Sequence, residues 1–247
     1  MKQILKNLLS RMGYSVQCLH QVPKPLLEMQ NLRVLEFDDV VCRRMHEVGK
    51  ELFFVQVGVY DGITHDPLRR HILECGWSGI MVEPQRRAAE GLKSLYCENS
   101  GIRIVNAAVD AAPQQRSLYT VEGPNAPDWA GGLASFDRAT VAKHSQWCPG
   151  LEAMIKEESI QCLTFDQILT NIPDGRIDIL QIDTEGADGF ILSLFPFDKI
   201  RPAIVHYEIK HLDKRGQEEA LERLLSFGYR VARSGGEDML AVLLLTK

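Results

Sequence analysis

At 247 residues the chain has the length of one large domain rather than of two comfortable ones. Its composition, 45% hydrophobic and 25% charged, is that of a soluble globular protein. A net charge of −5 with no dense block of Lys and Arg excludes a nucleic-acid backbone as the main partner, because phosphate neutralisation needs clustered cations.

Taken in chain order, Ile4, Leu5, Leu8, Leu9 and Met12 have helical spacing and predict a helix closing near Gly13. Its apolar face is expected to dock on the protein, with membrane-surface attachment as the alternative. The apolar run is too short and too interrupted by charge for a signal peptide or a membrane span. Pro23 and Pro25 follow, then a second helical pattern from Phe37 to Val48, and residues 1–50 read as an N-terminal helical extension to a domain over 51–247. From there apolar strands alternate with amphipathic helices. Strands are predicted at 52–57, 78–82, 102–107, 177–182, 202–208, 228–233 and 239–246, and helices at 65–75, 86–96, 187–194 and 215–227. That alternation predicts an α/β fold with a mostly parallel sheet covered on both faces. A hairpin-length turn at 234–238 makes the C-terminal strand antiparallel. The region 111–160 is long, polar and rich in Pro and Gly; a short strand at 117–121 and a helix near 137–143 are expected within it. The cysteines, Cys18, Cys42, Cys75, Cys97, Cys148 and Cys162, form no Cys-x-x-Cys pair, so zinc and dithiol chemistry have little support and a reducing, cytoplasmic compartment is expected.

Three clusters carry chemistry. The first strand runs into Gly58, Tyr60, Asp61 and Gly62, and Glu83 and Pro84 end the second. A strand, a glycine turn and an acid about 20 residues later is the pattern that holds an adenosine-containing ligand, the acid accepting from ribose hydroxyls. The third glycine of a dinucleotide turn is missing, so a cofactor without a pyrophosphate fits better, and S-adenosylmethionine is such a cofactor. A purely structural turn is the competing reading. The second cluster ends a buried run with Asp183, Thr184, Glu185 and Gly186. Buried carboxylates need donors or a cation, which a sulfonium supplies; helix capping is the competing use. The third is His206 and Glu208, which share a face of their strand, one a candidate support for the other. If that strand neighbours the one ending at Asp183, then Asp183, Glu185 and Glu208 bring hard oxygens together. Cofactor or substrate contact is favoured over a metal there, and no metal is assigned.

In order, Val55-Gln56-Val57-Gly58-Val59-Tyr60-Asp61-Gly62, Val82-Glu83-Pro84, Asn106-Ala107-Ala108-Val109, Ala134-Ser135-Phe136, Leu180-Gln181-Ile182-Asp183-Thr184-Glu185-Gly186-Ala187, Tyr207-Glu208 and Asp238-Met239-Leu240-Ala241 resemble the FkbM family of S-adenosylmethionine-dependent methyltransferases over roughly residues 52–246. The resemblance implies a single Rossmann-like class I methyltransferase domain with a seven-stranded sheet, and O-methylation of a small molecule or sugar. It places the cofactor on Gln56, the 58–62 turn, Glu83 and Pro84, with adenine near Asn106 and Ala107 and Asp183 facing the sulfonium region. Departures are Tyr60 where the family commonly has Asn, Val59 where it has Ala, and Gln56 where many methyltransferases carry an acid. Asp183, Glu185 and Glu208 are the catalytic candidates, the last two as general base with His144 as an outsider. Trp129, Phe136 and Trp147 are expected to shape an acceptor pocket. A catalytically silent cofactor-binding or scaffold protein and a nicotinamide-dependent oxidoreductase remain as alternatives.

Overall fold

The computed structural model describes residues 34–243. The predicted helix at 4–12, Cys18 and the end of the 239–246 strand lie outside them. In chain order the elements are α1 (Phe37–Val48), β1 (Phe53–Val57), α2 (Arg69–Cys75), β2 (Ser78–Val82), α3 (Arg86–Leu95), β3 (Ile102–Val105), β4 (Ala108–Val109), β5 (Gln114–Val121), β6 (Ala134–Ser135), α4 (Arg138–Ala142), β7 (Ile155–Leu163), α5 (Phe165–Ile168), β8 (Ile179–Ile182), α6 (Asp188–Leu194), β9 (Ile204–Glu208), α7 (Lys214–Ser226), β10 (Tyr229–Ser234) and β11 (Asp238–Leu243).

The main sheet has seven strands in the order β10-β11-β9-β8-β1-β2-β3. β3, β2, β1, β8 and β9 are parallel, and β11 is antiparallel to both β9 and β10. Side-chain alternation explains why the central strands are nearly continuous apolar runs. On β1, Val55 and Val57 enter one core with Leu180, Val205 and the residues of α6 and α7. Phe54 enters the other, with Phe37 and Val41 of α1, Ile72 of α2 and Leu92 of α3. Parallel strands need both faces covered, and the intervening helices cover them.

The predicted elements of the main sheet are present with small shifts. The 65–75 helix begins later, at Arg69, because Asp66 accepts the Leu68 amide (2.8 Å) and Pro67 holds the chain in a turn. The strand at 102–107 stops at Val105, where the chain crosses to a second sheet that the sequence reading missed. This sheet has the order β4-β7-β5-β6. The short strand and helix expected between 111 and 160 are there as β5 and α4, the latter capped by Asp137 accepting from Ala139 N. β7 went unrecognised because exposed Lys156 and Glu157, with half-buried Glu158, give it the composition of a loop. It pairs with the whole of β5, Gln114 opposite Cys162 through Val121 opposite Ile155.

α1 is fastened to the domain by a buried ion pair. Arg44 donates from Nε (2.9 Å) and Nη2 (2.7 Å) to Oδ1 of the fully buried Asp178. The second oxygen of Asp178 accepts the Phe53 amide (3.0 Å) and faces Arg176 Nε at 3.3 Å. Removing one partner strands a buried charge, which typically costs more than the pair contributes. Arg44→Met is expected to destabilise the protein by about 3 kcal/mol, the low end for a broken buried pair because Arg176 remains. Urea unfolding checks this: an unchanged midpoint would show that α1 is not tied to the sheet through this pair.

Candidate active site

The carboxyl ends of β1, β2 and β8 open into a cleft of about 2090 Å³, roofed on one side by the second sheet and the 122–147 segment. The cleft exists because β1 ends in a glycine. Gly58 has φ +79°, and a Cβ there would lie 1.8 Å from the Asp183 carbonyl oxygen. Tyr60 follows with φ 52°, a left-handed backbone that Asn tolerates better than Tyr, which gives a physical reason for the usual family residue. The ring of Tyr60 is turned toward the roof, where its hydroxyl lies so close to Gly131 that a Cβ there would sit 2.1 Å away. Asp61 closes the turn by accepting Ile63 N, Thr64 N (2.8 Å each) and Thr64 Oγ1 (2.7 Å). Burial raises its pKa, but these bonds outweigh that and hold it below the usual carboxylate range.

Glu83 is buried, and its carboxylate first of all builds the turn. Oε2 accepts the amides of Val59 (3.1 Å) and Tyr60 (2.7 Å), and Oε1 accepts that of Gln85 (2.8 Å). Burial pushes its pKa up against the pull of these three amides. Oε1 accepts one amide, which leaves acceptor capacity where the residue lines the cleft. Asn106 lies behind this point: its amide donates to the carbonyls of Glu83 (2.9 Å) and Pro84 (3.0 Å), and the cleft is lined instead by Pro84, Ala107 and Ala108.

Gln56, buried, donates from Nε2 to Asp66 Oδ1 at 3.3 Å. Its Oε1 and Asp66 Oδ2 are both buried without a hydrogen-bond partner among the described residues, and both residues line the cleft. The acid that Gln56 lacks is thus supplied by Asp66, ten residues on. Burial raises the pKa of Asp66. Gln56 stands opposite Gln181, and Gln181 opposite His206, in adjacent strands. His206 Nδ1 meets Gln181 Oε1 at 2.7 Å, so the buried support of His206 is Gln181 and not Glu208. Desolvation pushes the pKa of His206 down to about 4.

Asp183 is open to the cleft but set deep in its wall, and burial, with Asp188, Glu185 and Asp238 nearby, pushes its pKa up to about 7. Its carboxylate has no hydrogen-bond or ion-pair partner among the described residues. The turn after it is held by Asp188, which accepts from Thr184 Oγ1 (2.9 Å) and from the Thr184 (3.4 Å) and Gly186 (3.3 Å) amides. So capping-type bonds do form here, made by a residue that the sequence reading passed over. Glu185, at φ 52°, reaches His211 Nε2 at 3.0 Å, and both line the cleft. Glu208 stands behind them, 3.8 Å from His211 Nε2 and off the cleft wall; desolvation and the carboxylates of Asp183, Glu185 and Asp188 push its pKa up to about 8. His211 gave no sequence signal beyond its place after the strand. On the roof, Trp129 is 50% exposed and Trp147 67% exposed, with the His144 ring between them at 6.2 and 5.4 Å, and Arg116 sits 3.7 Å over the Phe136 ring.

The model of the methyltransferase FkbM domain matches residues 56–231. Among solved structures, the chain is similar to Methyltransferase FkbM from Methylobacillus flagellatus KT, at 13% identity and a TM-score of 0.50, over 78% of this chain and 44% of that one. The chain therefore spans less than half the length of that protein, and the likeness is one of fold. It is also similar to precorrin-6y C5,15-methyltransferase from Geobacter metallireducens GS-15 (11% identity, TM-score 0.41, 90% of this chain and 100% of that one). A methyltransferase from Pyrococcus furiosus is similar at 12% identity and a TM-score of 0.40, over 99% and 98% of the two chains. No curated protein matches the sequence. With a family model covering more than half its length and a sheet of the matching architecture, the chain belongs to the FkbM family of S-adenosylmethionine-dependent methyltransferase domains, and S-adenosylmethionine is its cofactor.

Proposed function

We propose that the protein transfers a methyl group from S-adenosylmethionine to a hydroxyl oxygen of a small molecule or carbohydrate, with the donor along the ends of β1, β2 and β8 and the acceptor under the roof. The observation that carries this reading is the chemistry of the wall: a glycine cradle with no room for a Cβ, unpartnered buried acceptors at Gln56 and Asp66, and an open carboxylate at Asp183. Those groups suit a ligand that brings an ammonium and a sulfonium. Gln56 and Asp66 are positioned to accept from the amino-acid end, the 58–62 turn to let it approach, and Glu83 Oε1 to take a ribose hydroxyl. Pro84 and Ala107 offer flat apolar surface for the base.

When bound, the cofactor supplies an activated methyl group on a good leaving group. The chain's part is to align the acceptor oxygen with that methyl and to keep water out. Asp183 is assigned the acceptor proton, because its carboxylate opens into the cleft and no group among the described residues engages it. Glu185 is engaged with His211, Glu208 lies behind the wall, and His144 is held between two tryptophans, which makes each a poorer base. Trp129 and Trp147, with the half-buried Phe136 beside them, are assigned to the acceptor, since exposed aromatic faces such as those of the two tryptophans stack rings or the apolar faces of sugars.

A cytoplasmic location is proposed from the cysteines. Cys42, Cys75, Cys97, Cys148 and Cys162 are all free thiols. Among the described residues no helix is long and apolar enough to cross a membrane.

Incubating cell extract with the purified protein and methyl-labelled cofactor should give one labelled acceptor, and analysis of the product should find the label on oxygen. Bound cofactor with no transfer to any acceptor would instead favour a silent binding protein. Glu83→Ala leaves three amides without their acceptor, at about 1–3 kcal/mol for each unsatisfied group. Its affinity for S-adenosylhomocysteine should fall by at least about tenfold in calorimetric titration. An unchanged dissociation constant removes Glu83 from the cofactor site. With the acceptor identified, Trp129→Ala and Trp147→Ala should each raise its KM by about three- to tenfold, the scale of one lost aromatic contact. Their S-adenosylhomocysteine affinity should stay at the parent value; a loss there would place the tryptophans on the donor side.

A further inference from the structure

We propose that Glu185, Glu208 and His211 form a binding site for a divalent first-row transition-metal ion on the cleft wall beside Asp183. The ligand atoms come from separate elements: Glu185 from the turn after β8, Glu208 from the end of β9 and His211 from the segment following it. One ligand atom from each lies within 4.8 Å of the others. His211 Nε2 is 3.0 Å from Glu185 Oε2 and 3.8 Å from Glu208 Oε2. Donors bound at about 2.0–2.2 Å to one ion stand roughly 3–3.5 Å apart, so the observed spacing needs only small rotamer adjustments.

An ion pair with His211 accounts for Glu185 at 3.0 Å, but at 3.8 Å it leaves Glu208 without a hydrogen bond. Among the described residues, Glu208 Oε2 is buried with no hydrogen-bond partner. A carboxylate oxygen is acceptor-only when ionised, so a buried one without a donor calls for a cation or a proton. The surroundings add negative charge, from Asp183, Glu185 and Asp188, and the opposing Lys210 is already 3.4 Å from Glu237. One imidazole with two carboxylates suits Mn²⁺, Zn²⁺ or Fe²⁺ better than Ca²⁺ or Mg²⁺, which favour all-oxygen sets. Glu185 and His211 line the cleft while Glu208 backs them, so the positions left open on the ion face the cleft. Three protein ligands with an open position is the arrangement of catalytic rather than structural sites. There the ion would hold and polarise an acceptor hydroxyl. That role rests on the methyl-transfer reading, whereas the binding itself does not.

The test uses the full-length protein and the metal alone. MnCl₂ titration followed by electron paramagnetic resonance should show about one bound ion per chain, and CoCl₂ should give visible d–d bands. His211→Ala and Glu208→Gln should each weaken Mn²⁺ binding at least tenfold and abolish the cobalt bands, while S-adenosylhomocysteine binding by both variants shows that they fold. A parent that binds S-adenosylhomocysteine but neither metal overturns the site and leaves the methyl-transfer reading standing. Metal binding that is equal in parent and variants also overturns it. A parent that binds the metal but not S-adenosylhomocysteine sinks the methyl-transfer reading and keeps the site.

Discussion

The cleft depends on one close approach: the end of β1 pressed against the end of β8, Gly58 against the Asp183 carbonyl. Parallel pairing from Phe54 opposite Ile179 to Val57 opposite Ile182 brings these ends together, and nothing larger than a hydrogen fits between them. Because the chain must then leave β1 sharply, Tyr60 takes a left-handed conformation and exposes two consecutive amides, those of Val59 and Tyr60. Glu83 is buried to receive them. Glu83 is therefore a structural part of the turn, which couples the shape of the cleft to the register of β1 and β2.

The carboxyl edge of the sheet is unusually acidic, and the sheet's packing is what concentrates the charge. β8, β9 and β11 run side by side, with Asp238 opposite Glu208, so that Asp183, Glu185, Asp188, Glu208 and Asp238 share one end of the molecule. Burial raises the pKa of Asp183, Glu208 and Asp238, and nearby carboxylates, Asp188 in all three cases, raise them further. Like-charged groups kept close at the expense of stability are a common mark of a functional edge rather than of a scaffold. Beneath that edge, Gln56, Gln181 and His206 form a polar row across adjacent strands, joined where His206 meets Gln181, between the charged edge and the apolar core.

The second sheet turns an open edge into an enclosed one. β4 leaves the main sheet just after Asn106, whose amide ties the exit to the Glu83 and Pro84 carbonyls. β5 and β7 then carry the roof that presents Trp129, Phe136 and Trp147. Tyr60 touches that roof at Gly131, so the 58–62 turn and the roof meet through one side chain. A change at either side is thereby felt at the other.

The sequence by itself determined the main sheet and singled out the residues that line the cleft at the ends of β1, β2 and β8. Periodicity is local, and runs such as Phe53–Val57 and Ile179–Ile182 are buried on both faces, so their apolar pattern is interrupted only by Gln56 and Gln181. The glycines, Glu83 and Asp183 were legible because their chemistry depends on position just past a strand end. What only the tertiary structure decided were pairings between distant segments. β7 reads as loop because one face is exposed and charged; Asp66 replaces the missing acid at Gln56 only through folding; Arg44 meets Asp178 across 134 positions. Likewise, nothing local could say that Glu208 lies behind the wall while His211 lies on it. Direction and depth at a strand end are set by how the following turn packs, and that is a property of the whole sheet edge.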